Sequence, residues 1–168
     1  MALPEFTESG AEFYDEGRRR VHLWRVWDWS LPSVLFIGQN PSKAGAETTD
    51  PTVTKDVHFA VQLGFGSYSK VNLYDWIDTD PDGLLTAPSP AGDPRNITTI
   101  AYRANQADRI ICCWGDAGQK DNRAAFVLGT LWDDHRKKMF CFGRTKKGCP
   151  KHTSRIAYAT PLVAMLQS

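Results

Sequence analysis

Polar side chains that can position a substrate directly follow the most apolar stretch of this chain. The apolar run 34–37 continues into Gly38, Gln39, Asn40, Pro41 and Ser42. A short apolar run closed by turn residues predicts a buried strand that ends abruptly. In open α/β sheets, ligands bind in the crevice beyond the carboxyl ends of such strands. Binding or catalysis is therefore expected here, although an ordinary strand-to-loop turn has the same spacing.

Other apolar runs end in a similar way. Asn72 lies near the end of the run 69–75, and Trp114 and Gly115 close the run 109–115. An Asn amide can hold a water molecule or hydrogen-bond a base edge, but it is not a strong general base. The acidic candidates near the same edge are Asp50, Asp75, Asp78 and Asp80. The position of Asp50 before a proline also predicts the N-cap of a helix.

A basic segment with two glycines lies near the C-terminus. Basic side chains beside backbone donors suit phosphate, and glycine permits a close approach of the backbone. A solvated loop is the alternative. His152 could be a general acid, a phosphate donor or a surface residue. The predicted phosphate-binding residues are Arg144, Thr145, Lys146, Lys147 and Lys151.

Size and composition predict one domain over residues 1–168, with residues 1–17 loosely ordered. The 168 residues are 42% hydrophobic and 23% charged, which is typical of a globular protein. A formal net charge of +1 gives no overall attraction to nucleic acid, so such binding needs a local patch. The polar N-terminus and the lack of a long apolar run predict a cytoplasmic protein with no membrane partner.

The four cysteines do not form a recognisable metal motif. Cys112 and Cys113 lie in an apolar run, where free cysteine behaves as a small hydrophobic residue. Cys149 and His152 have a metal-like spacing, but no second C-x-x-C pair accompanies them. We therefore expect neither a metal nor a cofactor.

Strand-like runs alternate with helical patterns along the chain. This alternation predicts an α/β fold, a three-layer sandwich with a mainly parallel central sheet. A long Pro-rich loop is predicted over 76–96, a type of loop that is usually functional or mobile. The predicted strands are 21–29, 34–42, 69–75, 109–115 and 138–143, of which the last four are neighbours, and the predicted helices are 50–64, 96–107, 121–135 and 159–166.

The chain resembles a bacterial and phage family called domain of unknown function 1643. The resemblance covers most of the length and implies little about function. The matching stretches, in order, are Trp24-Arg25, Leu35-Phe-Ile-Gly-Gln-Asn-Pro-Ser42, Asp50-Pro-Thr52, Val71-Asn-Leu73, Cys113-Trp-Gly115 and Gly143-Arg-Thr-Lys-Lys-Gly-Cys-Pro-Lys-His152.

More distantly, the chain is similar to the uracil-DNA glycosylase superfamily. Four short elements agree in order. Gly38-Gln39-Asn40-Pro41 matches a Gly-x-x-Pro segment after the first core strand, and Asn40 matches the water-placing Asn of the thymine/mismatch-specific branch. Asn72 resembles a base-reading Asn, and Cys113-Trp114-Gly115 resembles an apolar-x-Gly strand end. Residues 150–154 resemble a His-Pro-Ser loop, although that sequence is not present intact.

The second resemblance implies a glycosylase-like enzyme that hydrolyses the N-glycosidic bond of a nucleobase, modified or not, in DNA or a nucleotide. Asn40 would orient water, Asn72 would bind the base, and His152 would stabilise the leaving anion or a phosphate. Gln39 and Ser42 would line the pocket. The alternatives are a non-catalytic nucleotide or nucleic-acid binding module, and a small-molecule hydrolase or transferase that uses Asp50 and His152. In the glycosylase interpretation, Asn40 is critical for function and dispensable for folding.

Overall fold

The computed structural model describes residues 2–79, 83–85, 87, 89–90, 94–116 and 122–165. These residues form an α/β fold with one mixed sheet of seven strands and three helices. The strands are β1 (Glu8–Tyr14), β2 (Arg19–Val26), β3 (Ser33–Gly38), β4 (Ser67–Asn72), β5 (Arg109–Cys112), β6 (Met139–Cys141) and β7 (Val163–Ala164). The helices are α1 (Pro51–Gln62), α2 (Pro94–Gln106) and α3 (Arg123–His135).

The sheet has the strand order β1-β2-β4-β3-β5-β6-β7. The central strands β4, β3, β5 and β6 pair in parallel, which confirms that the four predicted segments are parallel neighbours. The outer strands β1, β2 and β7 pair antiparallel. The sheet is therefore mixed, and the prediction that it is mainly parallel is not confirmed.

Helices cover both faces of the central strands. Val34 and Phe36 on β3 pack in the same hydrophobic cluster as residues of α1, whereas Leu35 and Ile37 pack with α2 and α3. All four side chains are fully buried. A strand covered on both faces is apolar throughout rather than alternating, which is why this run is so prominent in the sequence.

Helix α1 begins and ends where the sequence predicts. The Asp50 side chain accepts a hydrogen bond from the Val53 N–H at 2.8 Å, and Pro51 occupies the first helical position. The helix stops before Gly64, whose φ of +83° is a conformation that favours glycine. Because α1 connects β3 to β4, this cap also places the start of the helix beside the carboxyl end of β3.

Both chain ends differ from the predictions. Residues 8–14 form β1 instead of a loose segment, because they pair along their whole length with β2. Gly10 allows this pairing, since a Cβ there would lie 2.1 Å from the Trp24 ring. At the other end, the predicted helix 159–166 is wrong: Val163–Ala164 forms β7 against β6, and residue 166 lies outside the described residues.

The Pro-rich loop and the predicted start of α3 lie partly outside the described residues. Within the loop, Gly83–Leu85 forms a 3-10 turn, and α2 begins at Pro94, two positions before the predicted start. Helix α3 is described from Arg123.

Candidate functional site

A cleft of about 690 Å³ lies at the carboxyl ends of β3, β4 and β5. The four parallel strands, counted along the chain, have the order 2-1-3-4, so the connections from β3 and β5 leave in opposite directions. Ligands of open α/β sheets bind at this kind of switch point. The predicted site residues that line the cleft are Gly38, Gln39, Asn40, Ser42, Asp50, Asn72, Trp114, Gly115, Thr145, Lys151 and His152.

Several predicted residues do not line this cleft. The buried Pro41 contributes its carbonyl oxygen, which accepts hydrogen bonds from Asn40 and from the Asp78 N–H. Arg144 donates to the Gly148 and Met165 carbonyl oxygens at 2.9 Å each and so supports β7. The predicted phosphate-binding residues Lys146 and Lys147 also lie outside the cleft lining, and both are exposed in the turn after Thr145.

Asn40 connects the loop after β3 to the loop after β4. Its Nδ2 donates to the Asp78 carbonyl oxygen at 2.8 Å and to the Pro41 carbonyl oxygen at 3.3 Å. These contacts assign the amide nitrogen, because both partners are acceptors. The Oδ1 atom accepts no hydrogen bond from the described residues, which leaves it available to a water molecule. Asn40 therefore has a structural role beside any catalytic one.

Asp50 is a helix cap as well as a lining residue. Its Oδ1 accepts from the Val53 N–H, and its Oδ2 accepts a hydrogen bond from the Ser42 hydroxyl. Because both of its oxygens already accept hydrogen bonds from the protein, Asp50 is a poor candidate for a general base. The cap interpretation of Asp50 is confirmed by this geometry.

Two amide side chains near the cleft have unsatisfied buried atoms. Asn72 at the end of β4 is 2% exposed, and its Oδ1 has no hydrogen-bond partner among the described residues. The Nε2 atom of Gln39 is also buried and has no hydrogen-bond partner among the described residues. A buried polar atom without a partner costs about 1–3 kcal/mol, so a ligand that satisfies these atoms gains affinity. Together they offer one acceptor and one donor.

Gly38 permits the close packing of Asn72 and Lys70 against β3. Gly38 pairs with Asn72 in the parallel register, and a Cβ on Gly38 would lie 2.7 Å from Asn72 Oδ1 and 2.8 Å from Lys70 Cε. Both of these side chains are buried, so neither can swing into solvent. The glycine is therefore required by this cleft floor.

We expect Gly38→Ala to lower the free energy of unfolding by about 1–3 kcal/mol, the usual effect of overpacking a core. Gly129→Ala is the matched control, because Gly129 lies inside α3 with no neighbour within 4 Å of its added Cβ. That variant should gain about 0.5–1 kcal/mol from helix propensity. Urea unfolding measures both changes. Equal stability of Gly38→Ala and the parent would show that Lys70 and Asn72 can move aside.

A buried ion pair that sequence analysis missed forms part of the cleft floor. Lys70 on β4 donates to Asp56 on α1 at 2.7 Å, and Tyr68 donates to the same Oδ2 at 3.1 Å. Burial lowers the pKa of Lys70, but the adjacent Asp56 carboxylate and Cys113 together more than offset it, so the pKa is raised. The amine also lies 3.6 Å from Cys113 Sγ. Lys70 is thus a charged ammonium at the base of the cleft.

His152 faces the cleft as a neutral imidazole. Its Nδ1 accepts a hydrogen bond from the Ser154 N–H at 3.3 Å and lies 2.7 Å from Ser154 Oγ. Burial lowers the pKa of His152 to about 4, and the charge of Lys70 acts in the same direction. Because Nδ1 is an acceptor, the proton of the neutral ring is on Nε2, from which it can be donated to a ligand.

The loop after β6 is attached to the loop after β5. The Gly115 N–H donates to the Pro150 carbonyl oxygen at 2.8 Å, and the Thr145 hydroxyl donates to Asp116 at 2.5 Å. Gly115 has a φ of +73°, and a Cβ there would lie 3.5 Å from His152 Cβ. The Trp114 side chain is almost wholly in the core. These contacts fix His152 relative to the central strands.

Arg20 on β2 is a further lining residue that sequence analysis did not single out. Its only visible signal is membership of the basic run 18–20. The side chain is 2% exposed, and Nη1 donates to the carbonyl oxygens of Ala44 and Ser42. The acidic candidate Asp78 also lines the cleft, whereas Asp75 does not and Asp80 lies outside the described residues. The remaining lining residues were not among the predicted site residues; apart from Lys70, they are Thr52, Val53, Thr79, Asp116, Ser154 and Arg155.

The fold and cleft together define an α/β protein with a polar pocket at the switch point of its parallel strands. The chain belongs to the family described as proteins of unknown function, DUF1643, whose model matches residues 20–153. The matched region contains every predicted site residue. No curated protein and no solved structure gave a significant match.

The part of the chain that the structure describes lacks two other features. It contains no cluster of three or more His, Cys, Asp or Glu side chains arranged to hold a metal ion. None of its helices is both long and apolar enough to cross a lipid bilayer.

Proposed function

We propose that the cleft binds a nucleobase attached to a phosphate-bearing sugar and hydrolyses the N-glycosidic bond between them. The observation that carries this proposal is the meeting of four distant elements at one cleft. Gln39 and Asn40 follow β3, Asn72 ends β4, Gly115 follows β5 and His152 follows β6, and all of them line the cleft. These are the elements by which the chain resembles the uracil-DNA glycosylase superfamily.

Base recognition would depend on the unsatisfied amide atoms. Nucleobase edges present donors and acceptors side by side, so they complement an acceptor such as Asn72 Oδ1 and a donor such as Gln39 Nε2. A base that satisfies both atoms removes the penalty of leaving them unpaired. A base in duplex DNA would first have to be flipped out of the stack.

The reaction adds water to C1′ of the sugar and breaks the bond from C1′ to the base nitrogen. The electron pair of that bond leaves with the base, and the proton released by the water neutralises the base anion. Asn40 Oδ1 accepts a hydrogen bond from the water. The Nε2–H of neutral His152 donates to the developing base anion, and preorganised donors of this kind supply much of the rate enhancement of enzymes.

Asn40→Ala and His152→Ala should each lower the rate of base release by about 10²–10³, the usual effect of removing one positioned donor or acceptor. Asn40→Ala should also lose about 1 kcal/mol of stability, because its hydrogen bond to the Asp78 carbonyl oxygen is removed. Nucleosides, nucleotides and oligonucleotides with ordinary and modified bases are screened for free base by chromatography.

Lys146→Ala is the control, because Lys146 is exposed and lies outside the cleft lining. It should release base at the rate of the parent. If Asn40→Ala is destabilised but fully active, Asn40 only holds the two loops together. In that case the attacking water must be positioned by another lining group.

A binding module without catalysis is the second candidate. The observation in its favour is that both Asp50 oxygens accept hydrogen bonds and the Asn40 nitrogen is used between loops. Such a cleft can recognise a nucleotide without activating water strongly. Measurable nucleotide binding by the parent without base release from any substrate would favour this alternative.

A further inference from the structure

Two buried arginines on β2 differ in how their guanidinium groups are used. Arg25 is 1% exposed and donates through both Nη atoms to the carbonyl oxygens of Trp24, Gly10, Gly45 and Thr48. Arg20 is 2% exposed, yet only its Nη1 donates to carbonyl oxygens. Both arginines hold the loop 42–48, but only Arg20 lines the cleft.

The remaining donors of Arg20 have no partner among the described residues. Its Nε is buried and makes no hydrogen bond, and Nη2 donates to no described residue. The side chain also forms no ion pair with the described carboxylates. Nε–H and Nη2–H lie on the same side of a guanidinium and match two oxygens of one phosphate or carboxylate group. This unused pair of donors on a buried cation is suited to an anion.

The start of α1 supplies a second feature at the same end of the cleft. Thr52 and Val53 line the cleft in the first turn of this 12-residue helix. The Val53 N–H is used by Asp50, whereas the Thr52 N–H and hydroxyl have no partner among the described residues. Amide groups at a helix N-terminus favour negatively charged oxygen.

We propose that Arg20 and the first turn of α1 form a subsite for a terminal phosphate, so that the ligand of the cleft is a nucleoside 5′-phosphate or another phosphate monoester. This subsite deepens the proposed function and, in naming a nucleotide as ligand, rests on it. Because Arg20 is almost wholly buried, only a group that ends within the cleft can reach it. An internal phosphodiester would have to leave the subsite on both sides.

The charges around the cleft agree with a short ligand. The cleft lining interleaves four cations with three acidic residues, a mixture that gives no continuous basic path for a polymer. The cations are Arg20, Lys70, Lys151 and Arg155, and the acidic residues are Asp50, Asp78 and Asp116. Asp50 lies near Arg20 and would repel a phosphate. Asp50→Asn keeps a good N-cap and should therefore tighten phosphate binding several-fold.

Isothermal titration calorimetry at fixed salt tests the subsite with inorganic phosphate, 5′-mononucleotides, the matching nucleosides and dinucleoside phosphodiesters. A mononucleotide should bind at least about 10-fold more tightly than its nucleoside, and Arg20→Lys should weaken its binding by about 10- to 100-fold. Lysine keeps the charge but lacks the paired donors. Arg25→Lys is the matched control and should keep the preference for phosphate at a temperature where both variants are folded.

Each other result overturns a defined part of the proposal. Equal binding of nucleoside and mononucleotide, or no binding of phosphate and mononucleotides, would exclude the subsite. An equal effect of Arg20→Lys and Arg25→Lys would exclude Arg20, and equal binding of the phosphodiester would exclude a terminal phosphate. Phosphate-dependent binding without base release contradicts only the glycosylase activity, whereas base release that ignores the phosphate contradicts only the subsite.

Discussion

Replacing Lys70 by methionine is expected to lower the free energy of unfolding by about 3–5 kcal/mol, the typical effect of removing one partner from a buried ion pair. Asp56 is fully buried, and without Lys70 its carboxylate keeps only the hydrogen bond from Tyr68. The other carboxylate oxygen already has no partner among the described residues. Denaturant unfolding at neutral pH measures the change.

Two further variants complete this test. Asp56→Asn combined with Lys70→Met removes both charges and should recover most of the lost stability, because no unpaired buried charge remains. Lys43→Met, at an exposed position, should stay within about 0.5 kcal/mol of the parent. If the double variant is as unstable as Lys70→Met, packing and not charge explains the loss. If the double variant is stable but binds no nucleotide, the ion pair is needed for ligand binding.

Acid should destabilise the protein strongly through His22. This residue is 3% exposed, and its imidazole stacks on Trp24 with 4.9 Å between ring centroids. Burial, with the charges of Arg103 and Arg20, lowers the pKa of His22 from 6.5 to about 3. The unfolded state therefore binds the proton more tightly, so stability is complete above about pH 6.5 and falls as the pH drops towards 3.

The size of the effect follows from the two pKa values. A tenfold difference in proton affinity corresponds to about 1.4 kcal/mol, so His22 should account for about 4 kcal/mol between pH 8 and pH 3 and about 3 kcal/mol at pH 4.5. His22→Gln removes this titration and should flatten the dependence. The stability difference between variant and parent at pH 8 gives the cost of the substitution itself. Parallel pH profiles of the two proteins would contradict a buried neutral His22.

Features set by local patterns were predictable from the sequence. The fully apolar run 34–37 indicated a strand buried on both faces, and Asp50 with Pro51 indicated the start of α1. Alternation of strands and helices predicted the parallel pairing of the four central strands. Because strands that pair in parallel bring their carboxyl ends to one edge, the sequence alone predicted that Asn40, Asn72 and His152 lie close together.

Elements stabilised by distant partners were not predictable. β1 contains the polar sequence ESGAEFY, and its pairing depends on β2 and on the fit of Gly10 beneath Trp24. β7 has two residues and exists because β6 offers it an edge and Arg144 holds the following carbonyl oxygen. Neither hydrogen-bond ladder leaves a periodic signal strong enough to read in one sequence.

The polar and charged groups of the site were likewise predictable from the sequence only in part. The sequence identified the amides, the cap and the histidine because they follow apolar runs or adjoin turn residues. Only the tertiary structure showed that α1 places Asp56 over Lys70, and that Arg20 is buried with unused donors while Lys146 and Lys147 are exposed. Burial and charge pairing depend on which elements pack together across the sheet, and that packing decides which cations face a ligand and which face water.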